Sequence, residues 1–452
     1  MSVHDRVTVL PIRTPSLGDT SYLVWDGTSA LVVDPQRDID RFEEPIDRLG
    51  LDLSAVLETH VHNDYVSGGP ELARRTGARM IVPAAAAPSY RSEPAFHQEP
   101  ITVGSMTLVP IHTPGHTPEH TSYLLMIDGI EVAVFSGGSL LVGAAGRSDL
   151  LGPERAETLS RLQFRSVNRL AALPSDVDLH PTHGQGSFCA AGTGGTTSST
   201  IGRERVENPV LQLRDEDGFV ADQLSGLPSY PAYYRHMAPL NLAGGEAVPK
   251  AAPEIEGARL LEIRDTVTVI DTRDRAAFAS GHVPGSIWVG TGDSFSAWVG
   301  WLTDIDDPLV LVVDAETDPA DLQTELARVG YDEVVGWMRG VETWVASSGD
   351  LATLAMRPLV EWLEDTPTQV LDVRDFWERD QTPLAGAVGV HLPDIDATSI
   401  AELDAAEPIG VVCASGYRAT IAGSLLERLG MKAVVLSDKG AAELRAPAVT
   451  GT

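Results

Sequence analysis

Val411-Val412-Cys413-Ala414-Ser415-Gly416-Tyr417-Arg418-Ala419-Thr420 sets a cysteine between an apolar run, Pro408 to Val412, and a helical pattern, Ile421 to Leu429. The run predicts a buried strand, so Cys413 leaves a strand and faces a helix N-terminus. The backbone N–H groups of a tight glycine-containing loop, the positive end of the helix dipole and Arg418 all favour a thiolate there. A thiolate so held is a nucleophile that can accept a sulfane sulfur and carry it as a persulfide. The plainer reading is an inert cysteine after a buried strand, and the nearby Gly416 and Arg418 weigh against it.

The strand signal recurs around this loop. Gln369-Val370-Leu371-Asp372-Val373-Arg374-Asp375 is echoed by Val267-Thr268-Val269-Ile270-Asp271-Thr272-Arg273-Asp274, so a strand ending in Asp-x-Arg-Asp opens each of two copies of one unit. A helix and a glycine-containing return follow in each, Gly281 to Ser286 in one and Ala385 to Val388 in the other. The alternation of strand and helix predicts two α/β domains with parallel sheets. At the place of Cys413 the first copy has Asp314, which is no sulfur nucleophile. Leu242 to Pro253 has the small-residue and proline content of a linker. The expected domains are 1–243, 257–350 (without a cysteine) and 356–452 (with Cys413).

The tandem copies, Asp372-Val373-Arg374-Asp375 and the Cys413 to Arg418 loop resemble the rhodanese family of sulfurtransferases, from Gly257 to the C-terminus. The resemblance implies a catalytic Cys413, with Ser415, Gly416 and Arg418 orienting an anionic donor and Tyr417 against the substrate. It also implies an inactive first copy packed on the active one, and a donor that is thiosulfate or a low-molecular-weight thiol persulfide. Phosphatases use a related Cys-loop-Arg arrangement with a longer loop, which leaves phosphate transfer as runner-up for this segment.

In the N-terminal part, a strand at Ser54 to Glu58 runs into His60-x-His62-x-Asp64, two imidazoles and a carboxylate at metal-ligand spacing. Further imidazoles lie in Thr113-Pro114-Gly115-His116-Thr117-Pro118 and Pro181-Thr182-His183-Gly184-Gln185-Gly186-Ser187. In this order they resemble the metallo-β-lactamase fold, which implies an αββα sandwich of two mixed sheets with a metal site at one edge. Gly146-Arg147-Ser148-Asp149-Leu150 is similar to a stretch of the persulfide dioxygenases, which oxidise glutathione persulfide with a mononuclear iron. His183 to Cys189, Ser199 to Glu204 and Asn208-Pro209 look like the subset fused to rhodaneses, and sulfide metabolism is the role this implies.

Two departures stand out against that family. Tyr65 replaces its usual histidine, and Gly138 stands where it has a metal-binding carboxylate. The expected centre is therefore His60, His62 and His116 around one iron or zinc ion, with Asp64 and His183 beside it and Arg147 and Cys189 toward the substrate. Cys189 reads equally as a sulfur relay and as a small buried hydrophobe. Tyr230 to Pro239 reads as a pocket wall or as a packed helix. The alternatives are a zinc-dependent thioester hydrolase of glyoxalase II type and a metal-free sulfur carrier or sensor.

Composition narrows the partners. The 64 acidic and 33 basic side chains of the 452 residues give a net charge of −31, which repels nucleic acid and anionic membranes. No apolar run is long enough to span a bilayer, and the first residues do not pattern as a secretory signal, so the expected place is the cytoplasm. Two cysteines this far apart predict no disulfide. A homo-oligomer is left open.

Overall fold

The computed structural model describes residues 6–191 and 198–444; residues 445–452, the end of the third expected domain, lie outside them, as do residues 1–5. The chain divides into two compact units, 1–249 with 324–330, and 250–323 with 331–452.

Two six-stranded sheets form the first unit. One runs Thr8–Thr14, Asp19–Trp25, Ser29–Val33, Asp52–Leu57, Arg79–Pro83, Glu93–Ala95, antiparallel over the first three strands and parallel after them. The other runs Ile101–Val103, Met106–His112, Thr121–Ile127, Ile130–Gly137, Asp178–Pro181, Ser199–Thr200, and is antiparallel except where Ile130–Gly137 meets Asp178–Pro181. Alternate residues of a strand serve different cores. Leu31 and Val33 share a cluster with Leu125 and Phe135 of the opposite sheet. Leu23, Val32 and Val56 instead pack on Phe42, Ile46 and Leu72 of the helices Asp40–Leu49 and Gly69–Thr76. On the far side, Leu124, Val134 and Leu179 meet Val167 and Leu170 of the helix Pro153–Ala171 and Phe219 of the helix Glu216–Leu224. The result is an αββα sandwich. Strands buried on both faces need apolar residues at both parities, which is why Ala30 to Val33 is an unbroken apolar run.

At one edge of the sandwich the chain leaves five of these strands, and there it carries Asp34, Glu58 to Asp64, Thr113 to His120, Gly138, and Thr182 with His183. A small sheet of Leu140–Leu141, Ala144–Gly146 and Ala190–Ala191 brackets that edge. The Tyr230 to Pro239 segment ends in a helix, Tyr234–Ala243, and its Tyr233 and Tyr234 are buried.

Two parallel sheets make up the second unit. The first orders Ile287–Trp288, Thr268–Asp271, Leu309–Val313, Val334–Arg339. The second orders Ala355–Arg357, Ala433–Leu436, Ile409–Val412, Gln369–Asp372, Val388–Gly389. The repeated Asp-x-Arg motif does the same work twice. Asp271 grips Arg273, whose Nη2 donates to the Gly281 carbonyl at 2.8 Å. Asp372 grips Arg374, whose Nη2 donates to the Thr382 carbonyl at 2.8 Å. Each fork ties the end of a strand to the end of the next helix, and its bidentate geometry neutralises a charge that burial would otherwise penalise.

Candidate functional site

Hydrogen bonds fix which nitrogen each imidazole turns inward. Thr59 donates its hydroxyl to Asp34 Oδ2 at 2.7 Å, so toward His60 Nδ1, 2.8 Å away, Thr59 Oγ1 can only accept. His60 therefore carries its proton on Nδ1 and has a lone pair on Nε2. His116 Nδ1 donates to the Arg147 carbonyl at 2.8 Å, and His183 Nδ1 lies 2.9 Å from Asp19 Oδ1, to which it donates when Asp19 is a carboxylate. The three Nε2 lone pairs converge. His60 Nε2 and His183 Nε2 are 3.3 Å apart, ligand atoms of His60, His116 and His183 all lie within 4.8 Å of one another, and His116 Nε2 has no hydrogen-bond partner.

Two acceptor nitrogens in such contact repel each other unless a cation lies between them. A separation of ~3.3 Å is that of two nitrogens each ~2.0–2.1 Å from one tetrahedral metal. The residues thus fit a metal ion, and a hydrogen-bond acceptor behind each ring sets its tautomer. Burial, reinforced by neighbouring imidazoles, holds His60 and His116 well below the usual histidine range, and burial also lowers His183, as neutral ligands require.

His62 is gripped by two carboxylates. Its Nε2 is 3.0 Å from Glu58 Oε2 and 3.3 Å from Asp34 Oδ1, and the Tyr65 ring stacks on it with centroids 4.3 Å apart. Burial would lower its pKa, but Asp34 and Glu58 raise it well above the usual range. The Tyr65 hydroxyl donates to the Asp34 carbonyl and so holds this arrangement. His62 Nδ1 and both oxygens of Asp64 have no hydrogen-bond partner, and His62, Asp64 and His183 form a second close group. Asp34, His60 and His62 form a third, so His60, His62 and His183, the last expected at the periphery, each belong to two of the three groups. Burial, with Asp19 adding repulsion, lifts the Asp64 carboxyl to about 7.

Gly138 lies against His116. A Cβ there would fall 2.2 Å from His116 Cδ2, so the imidazole fills the room that the missing carboxylate would need. The ring cannot readily yield, because the Arg147 carbonyl holds its Nδ1 and Gln163 accepts from the His116 backbone N–H at 2.9 Å. Gly138→Ala is expected to cost about 1–3 kcal/mol of folding free energy. The measurement is the urea midpoint at constant slope, and an unchanged midpoint would show that the ring moves aside at little cost.

Arg147 forks onto Asp149 through two 2.7 Å bonds and is 1% exposed; its carbonyl orients His116. Its guanidinium also lies 4.9 Å from the centre of the Tyr230 ring. Cys189 is fully buried, with Sγ 3.9 Å from the Tyr234 hydroxyl, and burial followed by Asp64 and Asp19 raises its thiol well above the usual range. That favours the small buried hydrophobe over the sulfur relay. Asp19, Asp34, Glu58, His120 and Gln163 escaped the sequence reading. His120 Nε2 accepts from the Gly138 N–H and its Nδ1 faces Thr113, so both nitrogens are engaged. The one available signal was Asp34, a charged residue closing an apolar strand, which proves to be buried at φ 52°.

In the second unit, Ile409–Val412 delivers Cys413 to the start of a helix that spans Tyr417–Arg428, four residues earlier than expected. Gly416 caps that helix at φ 87°, a left-handed conformation suited to glycine, and its N–H donates to Cys413 Sγ at 3.0 Å. Cys413 is 1% exposed and Ser415 is exposed. Arg418, expected to orient the donor, is paired with Glu378 through bonds of 2.5 and 2.8 Å. Burial pushes the Glu378 carboxyl up, but Arg418 pulls it below the usual range. Tyr417 donates its hydroxyl to the Gly290 carbonyl at 2.8 Å. In the first copy, Asp314 Oδ2 accepts from the Asp274 N–H at 2.8 Å.

The chain carries a domain of the metallo-β-lactamase superfamily, matched over residues 17–183, followed by two rhodanese-like domains, matched over 256–347 and 356–446. It is similar to the hydroxyacylglutathione hydrolase of Chromohalobacter salexigens, 28% identical over 242 residues that cover 47% of this chain and 89% of that protein. It is 32% identical to the enzyme of that name from a Methylobacterium species over 136 residues, 30% of this chain and 49% of the relative. A solved metallo-β-lactamase from Staphylococcus aureus superposes with a TM-score of 0.68 at 26% identity, covering 74% of this chain and 99% of the other. Among the described residues no helix is long and apolar enough to cross a membrane.

Proposed function

We propose that this chain is a sulfur-handling enzyme in which Cys413 accepts and passes on sulfane sulfur, joined to a metal-dependent domain that acts on the same class of thiol persulfide. The work is divided among 1–243, 257–350 and 356–452. The carrying observation is the Gly416 N–H aimed at Cys413 Sγ at 3.0 Å, at the N-terminus of a twelve-residue helix. Negative charge on that sulfur, or on the terminal sulfur of a persulfide, is stabilised there by the N–H and the helix dipole. Cys413 as thiolate attacks the outer sulfur of R–S–SH; the S–S bond breaks, Cys413 becomes a persulfide, and the thiolate RS⁻ leaves. Ser415 at the loop tip meets the donor, and Arg418 positions the loop through Glu378.

In the first domain His60, His116 and His183 would hold one iron or zinc ion, with His62 and Asp64 beside them. A bound ion supplies Lewis acidity, and iron adds oxygen chemistry. The protein's own part is to keep three neutral nitrogens turned inward through Thr59, the Arg147 carbonyl and Asp19, and to keep Asp64, with an elevated pKa, next to His183 as a proton-holding group.

A second reading is favoured by the similarity to hydroxyacylglutathione hydrolases: a thioester hydrolase of glyoxalase II type in the first domain. Oxygen uptake on glutathione persulfide, measured beside cleavage of a glutathione thioester, separates the two. Uptake without cleavage supports the persulfide reading, and cleavage without uptake replaces it. Thiocyanate formation from thiosulfate and cyanide tests Cys413 independently.

A further inference from the structure

The residue expected to receive an anionic donor at the cysteine loop, Arg418, is already neutralised by Glu378. Another cation lies against the loop. Arg275, at the start of the helix Arg275–Ser280 in the first rhodanese copy, has its Nη1 2.3 Å from where a Cβ on Gly416 would sit, and its Nη2 donates to the Ser437 carbonyl. It has no carboxylate partner among the described residues, whereas its neighbour Arg273 is tied to Asp271. Arg275 thus packs directly on the glycine whose N–H holds Cys413 Sγ.

Arg275 also lines a cleft of about 480 Å³ shared by the two copies, together with Asp274, Asp314, Trp288, Ser415 and Tyr417. A cleft of this size suits a peptide-sized ligand. Trp288 and Tyr417 pack with ring centroids 5.0 Å apart, and their polar ends are satisfied by the Arg273 and Gly290 carbonyls, so they wall the cleft with apolar surface. Asp274 Oδ1 caps Ala276 and Asp314 Oδ2 accepts from Asp274 N, which leaves each carboxylate an oxygen without a donor among the described residues. Arg273 lines the cleft as well but is tied to Asp271, so the charges left for one ligand are Arg275 and the two carboxylates. A ligand with both a carboxylate and an ammonium matches both sides.

We propose that this cleft binds a zwitterionic, amino-acid-type thiol persulfide, with Arg275 of the first copy taking its carboxylate and Asp314 and Asp274 its ammonium. This rests on the sulfurtransferase reading of Cys413. It gives the cysteine-free copy a role in substrate choice.

The test compares cysteine persulfide, which carries one carboxylate and one ammonium, with the persulfide of uncharged 2-mercaptoethanol on the full chain, following sulfur arrival on Cys413 by mass. The wild type is expected to prefer the zwitterion at least about tenfold in kcat/KM, and Arg275→Gln or Asp314→Asn each to bring that preference to within about twofold, with the change carried by KM. Arg259→Gln, which removes an exposed pair with Glu262, keeps the wild-type preference. Two differently placed variants guard against one that fails to fold. A wild type without preference, or a preference that survives in both variants, overturns the cleft assignment alone. No sulfur on Cys413 from either donor overturns the sulfurtransferase reading and this inference with it.

Discussion

Cys413→Ala is expected to lower sulfane sulfur transfer by at least about 10³-fold, because it deletes the atom that forms the covalent bond. Nothing else in the chain can take over that step. Cys189 is fully buried with a thiol raised well above its usual range, and the first copy presents the carboxylate of Asp314 where a sulfur would be needed. The fold should survive. Only one sulfur is lost from a 1%-exposed position, and the strand Ile409–Val412, the Gly416 cap and the Asp372–Arg374 fork are untouched. Cys413→Ser is the stricter variant, since a hydroxyl can accept the same Gly416 N–H without being a comparable nucleophile for sulfur. Thiocyanate formation from thiosulfate and cyanide, with circular dichroism of both variants, is the measurement. Transfer that continues undiminished in a folded Cys413→Ala protein would end the assignment.

The parts of this molecule that were legible in its sequence depend on local chemistry. A strand, a cysteine, a glycine that must adopt positive φ and a helix follow one another within about a dozen residues, so the Cys413 loop can be read without knowing what surrounds it. The Asp-x-Arg forks are local as well, each closed between residues two apart. The both-faces-buried strands announced themselves as unbroken apolar runs. What stayed hidden depends on partners distant in the chain. Arg418 is matched to Glu378 across 40 residues, and Arg275 reaches the Gly416 loop from another copy of the domain. Spacing placed His60, His62 and His116 correctly at one edge, yet a ring's useful nitrogen is set by what binds its other nitrogen. For His183 that is Asp19, 164 residues away, and for His116 it is the carbonyl of Arg147. Tyr65 in place of the family's histidine gave no hint that it would stack on His62 and hold it against Glu58 and Asp34.

That difference can be measured. His183→Ala is expected to weaken metal binding at least about 100-fold, since removing a direct ligand should cost no less than disturbing the groups behind it. His62→Gln is expected to retain the metal, because His62 Nε2 is committed to Glu58 and Asp34. Asp19→Asn, acting only through the His183 ring, should fall between them at about 10–100-fold. The readout is metal per chain by elemental analysis, paired with thermal unfolding at increasing zinc or iron(II). A ligand at ~1,000 times its Kd stabilises the native state by about 4 kcal/mol. The melting temperature of the wild type and of His62→Gln should therefore climb with metal, while that of His183→Ala stays level. If His183→Ala keeps its metal and His62→Gln loses it, the centre is His60, His62 and His116, and the inward turn of the His183 ring is only a hydrogen-bonding accident. If both lose it equally, His62 Nδ1, buried and without a hydrogen-bond partner, is a ligand in its own right beside Asp64, and the edge is built for two ions rather than one.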